Sequence, residues 1–144
     1  MITEDWNLFL AHLNVFYRKL QNYHWNIKGE DFFNVHEKLE EYYNDVNEQI
    51  DEIAEHILII DGQPLGTMSD YLEITQIKEA QNEKICSRKI FEAILKDYNI
   101  LIENATKIKE DADNEKRYAT SALMDEYLQD FSKKVWMIRQ RMME

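Results

Sequence analysis

The scarcity of chain-breaking residues constrains the fold more than any other feature of the sequence. The chain has three glycines and one proline among 144 residues, and Gly62, Pro64 and Gly66 stand together in one short segment. All-β and α/β chains need many turns, and turns draw on glycine and proline. The sequence therefore predicts long helices joined by few loops, around a core that its 44% hydrophobic content can supply.

Hydrophobic spacing predicts four long helices, over about residues 3–28, 33–60, 87–111 and 116–142, with a short loop through residues 30–32 between the first two. In each segment apolar residues recur at intervals of three and four, the period of one helix face. The residues expected to face the core are Phe9, Leu13, Phe16, Leu20, Tyr23, His24 and Ile27 in the first helix, Leu39, Tyr43, Val46, Ile50, Ile53, Ile57 and Ile60 in the second, Ile90, Ile94, Tyr98, Leu101, Ala105 and Ile108 in the third, and Ala119, Leu123, Leu128, Phe131, Val135 and Ile138 in the fourth.

The connection between the second and third helices is much longer than the other two. It runs from Asp61 to about Cys86, with one weak helical piece over residues 69–73, and is long enough to cross the length of a bundle. Four helices with one long crossover form the ferritin-like arrangement. We therefore expect an all-α, ferritin-like four-helix bundle, with a short extra helix in the crossover, as one domain over residues 1–144.

Charge and cysteine content narrow the class of function. The net charge of -11 disfavours binding to nucleic-acid phosphates, which depends on lysine and arginine, and favours cationic partners. The N-terminal segment lacks a basic region, and no run approaches the ~20 apolar residues of a membrane span, so a cytoplasmic protein is expected. With Cys86 as the only cysteine, an internal disulfide and a thiolate zinc cluster are excluded, and Cys86 is expected simply to begin a helix.

Residues 23–56 hold three of the four histidines and many carboxylates. His24 and His36 flank Gly29, and Asp51 and Glu55 lie one helical turn apart. Imidazole and carboxylate are the ligands that a divalent iron, manganese or zinc ion prefers. These side chains are therefore candidates for a metal site.

Helix geometry prevents one chain from completing such a site. A helix rises about 1.5 Å per residue, so His36 and Asp51 lie roughly 22 Å apart. A second copy packed antiparallel about a two-fold axis near residues 45 and 46 would bring His36 opposite Glu55 and Glu40 opposite Asp51. Two-fold contacts are self-complementary, so two equivalent sites would form.

The common di-iron bundle motif, Glu-x-x-His, is absent. The residues three positions before the histidines are Phe9, Gln21, Phe33 and Ile53, and none is acidic. An intrachain di-iron centre of that type is therefore disfavoured.

The chain resembles the Dps family of mini-ferritins, the DNA-binding proteins from starved cells. The resemblance rests on His24-Trp25, Gly29, Phe32-Phe33, His36-Glu37-Lys38, Glu40, Asp51-Glu52-Ile53-Ala54-Glu55, Gly62-x-Pro64 and Trp136-Met137, and it spans nearly the whole chain. It implies a dodecameric cage, built from two-fold dimers, that oxidises Fe(II) preferably with hydrogen peroxide, or with oxygen, and stores the ferric mineral. Such a ferroxidase would protect its cell against oxidative stress.

The resemblance also assigns roles to individual residues. His24 and His36 of one subunit and Asp51 and Glu55 of its partner are the expected iron ligands, and Glu40 has an accessory or second-iron role. Trp25 resembles a tryptophan of the family that is thought to intercept oxidising equivalents. A second interpretation of equal weight is that Trp25 packs at an interface between subunits.

Departures from the family leave two alternatives open. The termini lack the basic tail with which Dps proteins usually hold DNA, so no DNA binding is expected, yet a DNA-compacting protein is one alternative. The other is a non-catalytic helical assembly protein with a structural metal. In the family, acids near the start of the last helix line the pores through which iron enters, and here the only candidates for that role are Asp113, Glu115, Asp125 and Asp130. His12 and His56 are expected to be structural.

Overall fold

Over residues 3–143, which the computed structural model describes, the chain forms five helices and one pair of two-residue strands. The helices are α1 (Thr3–Asn26), α2 (Phe32–Ile59), α3 (Met68–Ile74), α4 (Ser87–Asn114) and α5 (Tyr118–Met142), and β1 (Ile27–Lys28) pairs in parallel with β2 (Ile85–Cys86). The predicted four-helix bundle with a short helix in its crossover is confirmed. None of the described helices is long and apolar enough to cross a membrane.

Side-chain contacts define how the four long helices run. Tyr17 of α1 meets Tyr43 of α2, and Trp6 meets His56, so these helices are antiparallel. Hydrogen bonds and ion pairs between helices show that three more pairs are antiparallel: α1 with α4, α2 with α5, and α4 with α5. Consequently α2 and α4 run in the same direction, and the crossover carrying α3 spans the bundle between them.

Aromatic side chains fill the centre of the bundle. The ring of Phe16 meets that of Tyr98 edge-on at 5.0 Å, and Phe131 packs against Phe9, Tyr98 and Tyr127. Burying such rings removes large apolar areas from water and drives the helices together. A buried ion pair, Lys19 with Asp97 at 2.8 Å, joins α1 to α4 beside this core.

Three predictions about the helices are wrong in detail. The first helix ends at Asn26 rather than at residue 28, because Ile27 and Lys28 pair with β2. In α5, Ala119 is exposed and Leu123, Leu128 and Val135 are only half-buried. The side chains of α5 that face the core are Thr120, Ser121, Met124, Tyr127, Phe131, Lys134 and Ile138. Among the second helix's predicted core residues, Tyr43, Ile50 and Ile60 are also half-buried.

The reversal between α1 and α2 is short and tightly bonded. Gly29 has a φ of 122°, a conformation that glycine adopts without strain, and its carbonyl accepts the Phe32 amide at 3.2 Å. Asp31 accepts hydrogen bonds from the Ser87 hydroxyl at 2.6 Å and from Arg141 at 3.0 Å. These contacts tie the start of α2 to the start of α4 and the end of α5.

Two glycines of the 62–66 segment provide a matched pair for testing packing at the end of α2. A Cβ at Gly62 would lie 2.5 Å from Cγ2 of Thr3 and 3.2 Å from the carbonyl oxygen of Ile57, whereas nothing lies within 4 Å of one at Gly66. We expect Gly62→Ala to destabilise the fold by about 1–3 kcal/mol, the usual range for overpacking. Gly66→Ala should leave the denaturation midpoint unchanged at equal protein concentration. Equal midpoints for the two variants would contradict this packing.

The Asp31 cluster predicts a pH-dependent contribution to stability. The hydrogen bond from Ser87, with that from Arg141, holds the pKa of Asp31 below its usual value against the opposing effect of burial. Folding then favours the ionised carboxylate, so its contribution is present above the unfolded-state pKa of about 4 and disappears as pH falls through the lower folded-state pKa. Asp31→Asn should lower the melting temperature at neutral pH, and the difference should narrow in acid. A difference that does not change with pH, or an equal effect of the exposed control Glu79→Gln, would contradict it.

Candidate metal centre

Two histidines face each other at the end of α1 and the beginning of α2. The rings of His24 and His36 stack with their centroids 3.7 Å apart and their planes inclined by 13°. His24 is buried and His36 is half-buried. The short reversal through Gly29 therefore brings together the two imidazoles that the sequence separates by twelve positions.

Reciprocal hydrogen bonds orient both rings. Nδ1 of His24 lies 2.6 Å from the carbonyl oxygen of His36, and Nδ1 of His36 lies 2.7 Å from the carbonyl oxygen of His24. A carbonyl oxygen can only accept, so each Nδ1 carries the proton. In the neutral ring, each Nε2 then holds a free lone pair, the form in which histidine binds metals.

Aromatic and acidic side chains surround the pair. Phe32 stacks on His36 at 5.0 Å, and Tyr43 meets His24 edge-on at 5.3 Å. Oε1 of Glu40 lies 3.8 Å from Nε2 of His24, and the Tyr43 hydroxyl donates to the same oxygen at 3.5 Å. Burial, with a smaller contribution from Glu40, raises the pKa of the Tyr43 phenol. Glu40 thus stands on the side where the lone pair of His24 is available.

Asp51 and Glu55 lie apart from the histidine pair in the protomer. Both are exposed on α2, about four and five helical turns beyond His36 respectively. Within residues 3–143, no group of three or more histidine, cysteine, aspartate or glutamate side chains is placed to hold a metal ion. The structure brings His24 close to His36 and to Glu40, but these side chains do not by themselves form a metal site. Asp51 and Glu55 lie apart from them on an exposed face.

Trp25 lies at the surface of the protein. Its side chain is 55% exposed, with the Arg18 guanidinium 5.8 Å from the ring centroid. It lines a surface cavity of about 330 Å³ together with Met68 and Leu72 of α3. An exposed indole beside exposed apolar side chains is suited to a contact with another molecule.

The other two histidines have structural partners. Nδ1 of His12 lies 2.9 Å from the Thr75 hydroxyl, and burial lowers the pKa of His12 to about 4. His56 stacks on Trp6 with a centroid distance of 4.8 Å, and its Nε2 lies 3.0 Å from the Thr120 hydroxyl. Both are neutral core side chains near pH 7, as the sequence predicted.

All four candidate pore acids have basic partners. Asp113 and Asp125 flank Lys109 at 3.7 and 2.8 Å. Asp130 lies 2.7 Å from Lys134, and Glu115 lies 3.5 Å from Arg117. Such pairs offset the negative charge that would draw a cation to these carboxylates. A pore built from these acids would therefore attract iron less strongly than unpaired carboxylates.

Sequence reasoning missed two contributors to this centre. It assigned Tyr43 to the core stripe, and it did not anticipate that Phe32 would stack on His36. The four-residue interval between Phe32 and His36 was an available signal, because such residues are neighbours on a helix. No local pattern could have revealed the carbonyl bonds, which join two helices.

Comparisons with known proteins agree with the fold. A family model described as a ferritin-like domain matches residues 7–143. The chain is 41% identical over 138 residues to DNA protection during starvation protein 2 of Bacillus anthracis, a match that covers 96% of this chain and 94% of the relative. It is 35% identical over 133 residues to the DNA protection during starvation protein of Helicobacter pylori, covering 90% and 92%.

A solved structure extends the similarity to three dimensions. The Dps protein of Vibrio cholerae O1, described as a member of a broad superfamily of ferritin-like diiron-carboxylate proteins, superimposes with a TM-score of 0.94 at 37% identity. The alignment covers 98% of this chain and 88% of that one. The similarity in backbone thus extends over nearly the whole chain.

Proposed function

The chain belongs to the ferritin-like Dps family, and on that premise we propose that it is a cytoplasmic ferroxidase that oxidises Fe(II) and stores the ferric product in a hollow homo-oligomeric cage, as a defence against oxidative stress. The observation that carries this proposal is the His24–His36 pair. Both Nδ1 atoms are occupied by carbonyl bonds, so both Nε2 lone pairs are free for a metal ion.

The remaining ligands come from a second copy of the chain. Asp51 and Glu55 are too far along α2 to meet the histidines of their own chain, but they are exposed and free to meet those of another. An antiparallel α2–α2 contact about a two-fold axis would bring the partner subunit's Asp51 and Glu55 to the histidine pair. Two such sites form per dimer.

Fe(II) is the substrate of this centre, and hydrogen peroxide is its preferred oxidant. Mixed imidazole and carboxylate ligands suit ferrous iron. Two Fe(II) ions each give up one electron, and the two electrons cleave the O–O bond of one peroxide to water or hydroxide. Pairing the electrons in this way avoids the hydroxyl radical that one-electron reduction of peroxide releases.

Side chains around the histidines support the same reaction. Glu40 lies beside Nε2 of His24 and offers a carboxylate for a second Fe(II), while Tyr43 donates to that carboxylate and packs against the ring. Trp25 follows His24 directly and is assigned an accessory redox role, intercepting oxidising equivalents that escape the centre. Its exposure also suits a subunit contact.

The overall charge fits a protein that gathers cations. A net charge of -11 per chain raises the local concentration of Fe(II) around an assembly of many copies. We propose that this assembly is a dodecamer built from two-fold dimers. Its stored mineral would keep iron away from free peroxide.

A non-catalytic assembly protein is the second candidate, since the exposed polar face of α2 could serve only to specify a dimer. In that case substitution of His24 and His36 would damage assembly, with no iron oxidation to lose. Ferroxidation lost in an assembly of unchanged size instead identifies the catalytic role.

Mixed assemblies test whether the site is shared between subunits. His24→Ala/His36→Ala removes one half of every site, and Asp51→Asn/Glu55→Gln removes the other, so each variant alone should lose peroxide-dependent iron oxidation. In a hybrid dimer one site loses both halves and the other keeps both. Randomly mixed 1:1 assemblies should therefore recover about a quarter of the unchanged protein's activity, measured by ferric absorbance after anaerobic Fe(II) loading.

The control variant changes an acid of α2 that is not a proposed iron ligand. Glu41→Gln alters an exposed acid of α2 that pairs with Lys38, and it should leave oxidation unchanged. Mass spectrometry confirms that hybrid assemblies have formed. Hybrids without recovered activity would contradict a shared site, and oxidation no faster than in protein-free buffer would contradict the enzymatic function.

The net charge also predicts that the protein does not bind DNA, although the family is named for DNA binding. An acidic chain releases few counterions from a phosphate backbone, so its affinity for duplex DNA should be negligible at physiological salt. Residues 1, 2 and 144 lie outside the part of the chain that the structure describes. For these residues, the prediction that the termini lack a basic tail comes from the sequence. We expect no mobility shift of linear DNA at about 0.15 M salt. A shift that persists there would favour the DNA-compacting alternative.

A further inference from the structure

A cavity on the outside of α4 has a charge opposite to that of the protein as a whole. It has a volume of about 400 Å³ and lies between α1, the crossover and α4. Four lysines line it, Lys19 from α1, Lys78 from the crossover, and Lys89 and Lys96 from α4. Convergence of lysines from three separate parts of an acidic chain calls for a physical explanation.

Three of these lysines form no ion pair with a described residue. Among residues 3–143, no carboxylate oxygen lies within 4.0 Å of Nζ of Lys78, Lys89 or Lys96. Two carboxylates, Glu92 and Asp97, also line the cavity. Glu92 lies 3.6 Å from Arg88, and Asp97 is paired with Lys19. The four lysines outnumber these two acids, so the lining of the cavity has a net positive charge.

The fourth lysine forms part of the cavity's fixed wall. Lys19 is only 7% exposed, and its Nζ is held 2.8 Å from Asp97, which is also buried. Ala93 lies four residues after Lys89 and three before Lys96, on the same face of α4. Its small side chain leaves room between two long ones that are seven residues, or about 10 Å, apart along the helix.

We propose that this cavity binds a phosphate group. A compact anion with several acceptor oxygens satisfies ammonium donors approaching from different directions, and lysine binds phosphate as a point charge. The side-chain amide of Gln76, which also lines the cavity, supplies a further donor. Inorganic phosphate and a phosphate carried on a larger molecule share this chemistry.

The size of the patch favours a small ligand over a long polyanion. A small phosphate experiences mainly the field of the three free lysines, whose range is about 8 Å at physiological salt. A DNA backbone extends beyond that range and meets the acids that give the chain its net charge of -11. The site is therefore assigned to free phosphate or a small phosphorylated molecule.

Titration calorimetry of the intact, iron-free assembly with inorganic phosphate tests the proposal, since the absence of iron removes any contribution from the oxidation site. The unchanged protein should bind one phosphate per chain. Lys89→Gln/Lys96→Gln should weaken binding by roughly tenfold or more, because two charge-assisted contacts are lost. The control pair Lys116→Gln/Lys133→Gln removes the same charge from exposed positions outside the cavity and should leave the affinity unchanged.

Size-exclusion chromatography and circular dichroism of both variants verify that fold and assembly are intact. Equal weakening in the two variants would show only an effect of overall charge and overturn the site, as would the absence of saturable binding in the unchanged protein. Binding of a short single-stranded oligonucleotide that is lost with Lys89 and Lys96, with no binding of inorganic phosphate, would also overturn it by assigning the cavity to nucleic acid. Because none of these readouts uses iron, the proposal can fail while the ferroxidase function stands.

Discussion

The stiffness of one helix determines what this protein can do alone. His36 begins the second turn of α2, and Asp51 and Glu55 lie roughly 22 Å or more further along the same rod. No rotamer change brings these side chains together, since they are fixed to a continuous hydrogen-bonded helix. The proposed ferroxidase site uses both halves and therefore needs two chains, so under this proposal assembly is a condition of activity.

The rest of the fold prepares one half of the site. The reversal through Gly29 is pinned by a strand pair, by the Asp31 bonds to Ser87 and Arg141, and by the crossed carbonyl bonds of the two histidines. Because each ring is oriented by backbone, its lone pair is directed without any metal. In the proposed site, such preorganisation would lower the cost of collecting ligands around Fe(II). The acids that the proposal takes from a second copy of the chain are exposed on α2.

Much of the architecture could be predicted, because helices of this length carry a strong periodic signal. All the residues assigned to the core of the first and third long helices are buried. The last helix was predicted less well, because its core face includes Thr120, Ser121 and Lys134, whose polar groups bond to His56, Lys109 and Asp45. A search for hydrophobic spacing does not detect polar side chains that are buried together with their hydrogen-bonding partners. The helix geometry likewise predicted a site shared between two chains. The tautomers of His24 and His36, however, depend on hydrogen bonds between two helices, which no local sequence pattern reveals.

Anomalous diffraction at the iron edge, from crystals of the assembled protein loaded anaerobically with Fe(II), tests the central claim most directly. Our account predicts an iron peak at a two-fold subunit contact, between Nε2 of His24 and His36 of one protomer and the carboxylates of the partner subunit's Asp51 and Glu55. A peak whose ligands all come from one protomer would contradict it. So would an assembly in which iron is found only at sites remote from the histidine pair.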